Sequence, residues 1–236
     1  MTLRTVIEYI KAHRIKTLCL TVLCVLSAAY IFCLPADLFE GTSFSTVVTS
    51  REGELLGARI ADDGQWRFPP SDTVPERFSR CLIEFEDRYF RLHPGVNPVS
   101  AVRALKENIR SGRIVSGAST ITMQVIRMSR GKERSIRQKL TEAVLATRLE
   151  LRCSKDEILA LYAGHAPFGG NVVGLEAASW RYFGRSPEDL SWGEAAALAV
   201  LPNAPAAIHP GRNRDALKAK RDRLLKKLYD RGHIDS

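Results

Sequence analysis

Residues 84–95 read Glu-Phe-Glu-Asp-Arg-Tyr-Phe-Arg-Leu-His-Pro-Gly. This stretch places three carboxylates, two arginines, a tyrosine and a histidine between apolar residues. Its spacing predicts a helix whose apolar side includes Tyr89 and Phe90, with Glu86 at the edge of that side. A carboxylate beside an aromatic surface is partly removed from water, so its pKa rises toward the value that a general acid or base needs near neutral pH. The Pro-Gly pair at 94–95 then ends the predicted helix.

The balance of charge separates this chain from an average globular domain. Its 236 residues carry a formal net charge of +9, whereas the hydrophobic content of 45% and the charged content of 26% are ordinary. An excess of positive charge of this size indicates an anionic partner: a nucleic acid, an anionic membrane surface or a phosphorylated substrate.

The chain begins with a short basic segment, residues 1–16, followed by a run without charge, residues 17–34. That run is just long enough to cross a bilayer core of about 30 Å. The basic flank predicts a cytoplasmic tail, a single transmembrane anchor in the cytoplasmic (inner) membrane, and a remainder on the extracytoplasmic or periplasmic side. A cleaved signal peptide is the alternative, but its apolar region is usually about 7–15 residues, and residues 30–34 make a poor cleavage site.

Two further segments follow the anchor. Residues 45–76 are expected to form a small β-hairpin and a linker, because turn residues at 51–54 separate two β-rich runs. Residues 77–236 are expected to form a helical domain, in which Gly112 ends one helix. The last helix, residues 215–229, alternates leucine with lysine and arginine, and we expect a solvated outer helix rather than a binding element.

The spacing Glu-Asp-x-x-Phe-x-x-His-x-Gly in residues 86–95 resembles, as a unit, the first motif of the peptidoglycan glycosyltransferases, glycosyltransferase family 51. These enzymes form the polymerase domains of class A penicillin-binding proteins and of their monofunctional relatives. Taken singly, Glu86 and Asp87 fit ordinary surface acids, and His93 fits a histidine at a helix end. The other motifs of the family must therefore be compared.

The second stretch, Gly-Ala-Ser-Thr-Ile-Thr-Met-Gln at residues 117–124, is similar to the family's second motif. Ser119 or Thr120 is predicted to cap the following helix, and amides and hydroxyls exposed at a helix start favour an anion such as phosphate. Simple capping is the alternative for these two residues. The resemblance places Gln124 and Arg127 where the family has substrate contacts.

The third and fourth stretches also follow the family order. Lys139 and Glu142 match the pattern Arg-Lys-x-x-Glu and share a helix face, although Gln138 stands where arginine is usual. The alternative is an exposed salt bridge worth at most about 1 kcal/mol. Residues 155–162 resemble Lys-x-x-Ile-Leu-x-x-Tyr, after which Ala-Gly at 163–164 replaces the usual Leu-Asn and puts the packing of that helix end in question. Most of the residues in the later blocks are expected to be packing residues.

This resemblance implies a mainly helical, lysozyme-like glycosyltransferase domain with a small β-hairpin near the membrane and one N-terminal transmembrane helix. It implies polymerisation of lipid II into β-1,4 glycan strands, with release of undecaprenyl pyrophosphate. Glu86 would be the general base and Glu142 the second essential glutamate. The substrate-binding residues would be Asp87, His93, Ser119, Thr120, Gln124, Arg127 and Lys139. The partners would be lipid II, the growing glycan strand, the membrane and proteins of cell wall synthesis, with no nucleic acid.

No metal site is predicted and no cofactor is required, although the chemistry allows a divalent cation, Mg²⁺ or Mn²⁺. Two other functions stay open. A lysozyme-like glycan-cleaving enzyme would use a protonated glutamate, and a membrane-anchored inactive scaffold would fit the departures at Gln138 and residues 163–164. A transpeptidase needs Ser-x-x-Lys and a later Lys-Thr-Gly, and the latter string does not occur. The chain is then expected to be a lone polymerase or a truncated bifunctional protein.

Overall fold

The computed structural model describes residues 14–112, 117–133, 135–203, 211 and 213–235. The chain separates into two compact units, residues 1–38 and residues 39–236. In the first unit, helix α1 (Arg14–Phe32) has no buried residue. Within the described ranges it is one helix that is long and apolar enough to cross a membrane, as the span predicted over residues 17–34 requires. Most of the predicted cytoplasmic tail lies outside the described residues.

The second unit begins with the predicted hairpin. Strand β1 (Thr46–Thr49) pairs antiparallel with β2 (Leu55–Arg59). The side-chain oxygen of Ser50 accepts hydrogen bonds from the backbone amides of Glu52 and Glu54, which closes the turn. The predicted β-hairpin is therefore confirmed. It could be predicted because its signals, two β-rich runs and the turn residues between them, lie close together in the sequence.

A second small sheet was not predicted. Strand β3 (Trp66–Arg67) pairs parallel with β5 (Val172–Val173), which pairs antiparallel with β4 (Pro167–Gly169). Local periodicity cannot specify a pairing between segments so far apart in the chain. This sheet ties the linker of the hairpin segment to the helical part.

The rest of the unit is helical, as predicted. The helices are α2 (Glu76–Glu86), α3 (Pro98–Ser111), α4 (Ile121–Arg130), α5 (Ile136–Glu150), α6 (Lys155–His165), α7 (Leu175–Phe183), α8 (Trp192–Val200) and α9 (Arg214–Asp230), with short 3₁₀ helices at Phe90–Leu92 and Pro187–Asp189. Helix α8 packs against both α2 and α9, and α4 packs against both α5 and α6. Fully buried side chains in the resulting core include Phe78, Phe90 and Tyr162.

The helix predicted over residues 84–95 is wrong in its extent. Helix α2 ends at Glu86, and Asp87 has left the helical conformation, with φ −157°. The carboxylate of Asp87 accepts a hydrogen bond from the backbone amide of Ile121 and contacts the ring of His93. These long-range contacts outweigh the helical periodicity, so the chain turns eight residues before the Pro-Gly pair that was expected to end the helix.

Helix α3 ends at Gly112 as predicted, with the glycine in the left-handed conformation at φ +61°. The helical spacing of its apolar residues is present, but it does not correspond to a buried face. Val99, Val102 and Ile109 remain 71%, 67% and 73% exposed.

Helix α9 is not the purely solvated outer helix that was predicted. Leu224 and Leu228 are 1% and 0% exposed, and the helix packs against α8 and α2. Just beyond its end, Arg231 forms an ion pair with the buried carboxylate of Glu84 on α2. The two leucines are four residues apart and therefore share one helix face, which the surrounding lysines and arginines conceal in the sequence.

The Ala-Gly pair that replaces the usual Leu-Asn has a packing reason. A Cβ atom added to Gly164 would lie 2.8 Å from the Cβ atom of Pro70 in the linker. Real Cβ atoms essentially never approach so closely, so glycine lets the linker lie directly on the end of α6. The departure from the family pattern therefore matches the proline-rich linker of this chain.

Candidate active site

Glu86 is the last residue of α2 and is largely withdrawn from water. The side-chain amide of Gln124 donates a hydrogen bond of 2.7 Å to its Oε2 atom. The Oε1 atom is buried and has no hydrogen-bond partner among the described residues. Burial raises the pKa of Glu86, while the bond from Gln124 and the positive charges of Arg127 and Lys220 act against that rise. The predicted elevation of this pKa is confirmed.

The aromatic surface around Glu86 differs from the predicted one. Tyr89 and Phe90 lie beyond the end of α2, and Tyr89 is 42% exposed. Phe85 and Tyr89 line one cavity together with Glu86, and Phe85 and Tyr162 line a second one with it. The aromatic neighbours of Glu86 were therefore predicted in part, and Tyr162 was not among them.

A buried network of hydrogen bonds lies beside the C-terminal end of α2. The ring Nε2 of His93 is 3.0 Å from each carboxylate oxygen of Asp87. The backbone amide of Ile121 donates to Asp87, and the hydroxyl of Thr120 donates to the backbone oxygen of Gly95 at 2.6 Å. These bonds join the turn after α2 to the start of α4, so Asp87 and His93 hold the site together. Their direct contact with a substrate stays a prediction.

Thr120 also caps α4, because its side-chain oxygen accepts a hydrogen bond from the backbone amide of Met123. Thr120 is 2% exposed, which commits its hydroxyl to the fold. Ser119 is only half-buried and lines both cavities beside Glu86. Of these two predicted substrate residues, Ser119 is thus the more accessible one, and its contact with a substrate stays a prediction.

Glu86 lies where two cavities adjoin. The first has a volume of about 250 Å³ and the second about 490 Å³. Lining residues common to both are Phe85, Glu86, Arg103, Gly117 and Ser119. The first cavity also has the cationic side chains Arg88, Lys227 and Arg231, and the second has Arg127 and the amide of Gln124.

The third motif does not join this cleft. Lys139 is exposed on α5 and Glu142 is 6% exposed on the same helix. Neither residue lines the two cavities around Glu86, and within the described part of the chain no ion pair joins them. The salt-bridge alternative is therefore absent there, and the catalytic role of Glu142 and the binding role of Lys139 stay predictions.

Sequence reasoning missed several residues around the cleft. Tyr162 was classed with the packing residues of the fourth motif, but it lines the second cavity. Lys220 is close enough to lower the pKa of Glu86, and its ammonium group contacts Asn203 at 3.1 Å. The spacing of Lys220, Lys227 and Arg231 by seven and four residues places them along one side of a helix, which is a signal that could have been found.

A glutamate with a raised pKa between two cation-lined cavities, held in a mainly helical domain, is an arrangement typical of acid–base active sites. The family model described as Transglycosylase matches residues 52–229. The chain therefore belongs to the transglycosylase family, which places it at family level among the peptidoglycan glycosyltransferases.

Individual proteins show the same likeness. Penicillin-binding protein 1C of Escherichia coli (strain K12) is 45% identical over 188 residues, which cover 79% of this chain and 24% of that protein. Penicillin-binding protein 1A of Aquifex aeolicus (strain VF5) is 39% identical over 164 residues, 69% of this chain and 23% of that protein. The chain thus spans about a quarter of the length of these relatives. A crystal structure of penicillin-binding protein 1A from Haemophilus influenzae matches 83% of this chain and 19% of that one, with 20% identity and a TM-score of 0.44.

Proposed function

We propose that this chain is a peptidoglycan glycosyltransferase that polymerises lipid II into β-1,4 glycan strands and releases undecaprenyl pyrophosphate. The observation that carries the proposal is Glu86, a carboxylate with a raised pKa and a free buried oxygen at the junction of two cavities. A polymerase needs two sites, one for the growing strand and one for the next precursor, with the base between them. Membership of the transglycosylase family supports the same assignment.

In the proposed reaction, Glu86 acts as the general base. Its free Oε1 atom takes the proton from the acceptor sugar hydroxyl while that oxygen bonds to the anomeric carbon of the donor. The bond from that carbon to the pyrophosphate breaks, and its electron pair leaves with the phosphate oxygen. A direct displacement of this kind inverts the configuration of the donor sugar. The hydrogen bond from Gln124 to Oε2 keeps the carboxylate oriented during the transfer.

The leaving pyrophosphate gains negative charge as its bond breaks, so nearby cations lower the barrier. Arg127, at the second cavity, is the described cation best placed for this role. Lys139 is proposed for the same role on the family pattern, and Ser119 supplies a hydroxyl to the cleft. A divalent cation could share the work, but the described residues hold no group of three or more histidine, cysteine or acidic side chains that would bind one, and no step here depends on it.

We also propose that α1 spans the cytoplasmic membrane once and that residues 39–236 work on its extracytoplasmic face, where a lipid-linked substrate and other cell wall synthesis proteins would meet them. The length and apolar character of α1 support this arrangement. A reporter fused after Ser236 should be active only if it functions outside the cytoplasm. Activity of a cytoplasm-only reporter at that position would refute the orientation.

The central test is the Glu86→Gln variant, assayed by gel separation of polymer formed from labelled lipid II. Glutamine keeps the size and the hydrogen bonding of the side chain but cannot accept the proton. We expect the turnover of the folded full-length protein to fall by at least about 10²-fold. Near-normal turnover would assign the base to another residue, with Glu142 as the first candidate.

The cation assignment is tested with Arg127→Gln and Lys139→Gln. If Arg127 neutralises the leaving group, its loss lowers kcat, whereas loss of a group that only attracts substrate raises KM and leaves kcat unchanged. Because Lys139 does not line the cavities around Glu86, we expect its replacement to have the smaller effect on kcat. Normal polymerisation by both variants would show that neither Arg127 nor Lys139 acts on the phosphate of the leaving group.

A further inference from the structure

Tyr162 is the fully buried tyrosine of α6, at 0% exposure. Its hydroxyl is buried and has no hydrogen-bond partner among the described residues. The residue lines the cavity of about 490 Å³ that also contains Glu86, Gln124 and Arg127. The hydroxyl thus belongs to a residue that lines the cleft, and it contributes no hydrogen bond to the fold among the described residues.

Such an arrangement is costly, because burying a hydroxyl without a partner loses its hydrogen bonds to water. Phenylalanine would fill the same space without that cost, so packing does not account for the hydroxyl. Tyr182 shows the usual arrangement. Its hydroxyl donates to the backbone oxygen of Phe168 at 3.1 Å and lies 3.3 Å from that of Gly169.

Glu86 has the complementary feature. Its Oε1 atom is likewise buried and without a partner among the described residues, and it belongs to the same cavity. The two side chains interact electrostatically: burial first, and then the negative charge of Glu86, raise the pKa of Tyr162. The phenol therefore stays protonated and is available as a donor. One acceptor and one donor without hydrogen-bond partners among the described residues thus belong to two residues that line the same cavity.

We propose that Tyr162 is a catalytic residue that donates a hydrogen bond to the acceptor sugar hydroxyl whose proton Glu86 removes. This inference rests on the proposed glycosyltransferase function. The sugar oxygen has one proton and two lone pairs, and all three are used. The proton points to Oε1 of Glu86, one lone pair accepts the bond from Tyr162, and the other attacks the anomeric carbon of the donor. Holding the oxygen from two sides directs that second lone pair at the donor.

The bond from Tyr162 also becomes stronger as the reaction proceeds. The sugar oxygen gains electron density while its proton moves to Glu86, and a neutral donor aimed at that oxygen stabilises the developing charge without competing for the proton. The tyrosine does not change its protonation state. The net transfer remains the proton to Glu86 and the electron pair to the leaving pyrophosphate.

The test compares Tyr162→Phe with Tyr182→Phe in the full chain. Tyr162→Phe removes a hydroxyl that makes no bond in the fold, so we expect its Tm to be unchanged or higher while kcat/KM falls by about 10- to 100-fold, the scale of one strong hydrogen bond. Tyr182→Phe removes a bonded hydroxyl of a residue that lines neither cavity, so its Tm should fall while the turnover of the folded protein is retained. Full turnover by Tyr162→Phe, or a loss that only follows a lowered Tm, overturns the inference.

A binding measurement separates this inference from the function on which it rests. The probes are the disaccharide of lipid II with its acceptor hydroxyl free, and an analogue in which hydrogen replaces that hydroxyl. Wild-type protein should bind the first more tightly. The difference should become smaller in Tyr162→Phe, where only the bond to Glu86 is left, and should be unchanged in Tyr182→Phe. If this coupling is present but wild-type protein makes no polymer, the polymerase assignment fails and the hydroxyl contact stands. If wild-type protein does not distinguish the two sugars, the Tyr162 contact is wrong, whether or not polymer forms.

Discussion

Replacing Gly95 by alanine tests how the turn after α2 is joined to the rest of the domain. Gly95 has φ +87°, a conformation that disfavours any side chain, and an added Cβ atom would lie 2.7 Å from the carbonyl carbon and oxygen of Ala146 on α5. The left-handed conformation costs about 1–2 kcal/mol, and the forced overlap with the helix backbone costs about 1–3 kcal/mol. We therefore expect Gly95→Ala to lower the free energy of unfolding by about 2–5 kcal/mol.

A loss of that size is a large share of the total stability of about 5–15 kcal/mol that a domain has. The matched control is Gly131→Ala, because Gly131 has φ +56° but nothing lies within 4 Å of its Cβ position. That variant has only the conformational cost of about 1–2 kcal/mol. Urea unfolding of the two full-length variants in detergent, followed by circular dichroism, measures the difference. Equal losses for the two variants would refute the role assigned to the contact with Ala146.

Three further changes test other parts of the structure. Burial raises the pKa of Glu86 in the folded state, so the charged carboxylate destabilises the fold above that pKa, whereas below the pKa of unfolded glutamate the group is neutral in both states and has no such effect. Glu86→Gln should therefore raise Tm at about pH 8 and not at about pH 3. An equal change in Tm at both pH values would contradict this sign. Arg231→Gln leaves the buried carboxylate of Glu84 unpaired, and we expect the free energy of unfolding in urea to fall by about 2–4 kcal/mol. Adding Glu84→Gln should restore part of that stability. If it restores none, the ion pair does not account for the loss. Gly164→Asn, which restores the usual family residue, should lower the free energy of unfolding by about 1–3 kcal/mol in the same measurement. The loss should be smaller in a protein that also has Pro70→Gly, because the opposing Cβ atom is then absent. The same loss with proline or glycine at position 70 would exclude the contact between these residues as the cause.

Parts of the structure were predictable where they depend on local spacing. The cap at Thr120 and the pairing of β1 with β2 each follow from residues a few positions apart. The raised pKa of Glu86 was predicted as well, but its main cause is burial in the folded domain. Predictions failed where the competing interaction came from far along the chain. The carboxylate of Asp87 accepts a bond from the amide of Ile121, and this contact ends α2 at a point where periodicity alone would have continued it.

This difference between local and long-range interactions also explains why only some of the residues around Glu86 were predicted from the sequence. The family pattern indicated Gln124, and the structure shows its amide bonded to the carboxylate. No pattern indicated that the hydroxyl of Tyr162 lacks a partner, because that depends on every group packed around it. Nor did a pattern indicate that Arg231 pairs with Glu84, since the value of an ion pair depends on its burial.

The sequence by itself determined the order of the elements: an apolar helix, a hairpin and then a run of helices whose ends follow from caps, glycines and turn residues. These features depend on hydrogen bonds and torsion angles between neighbours, which the local sequence specifies. Only the tertiary structure decided which polar groups leave water and which of them find partners. Glu86 and Tyr162 are far apart in the chain, and their pKa values and their orphaned oxygens exist only because folding buries both beside one cavity.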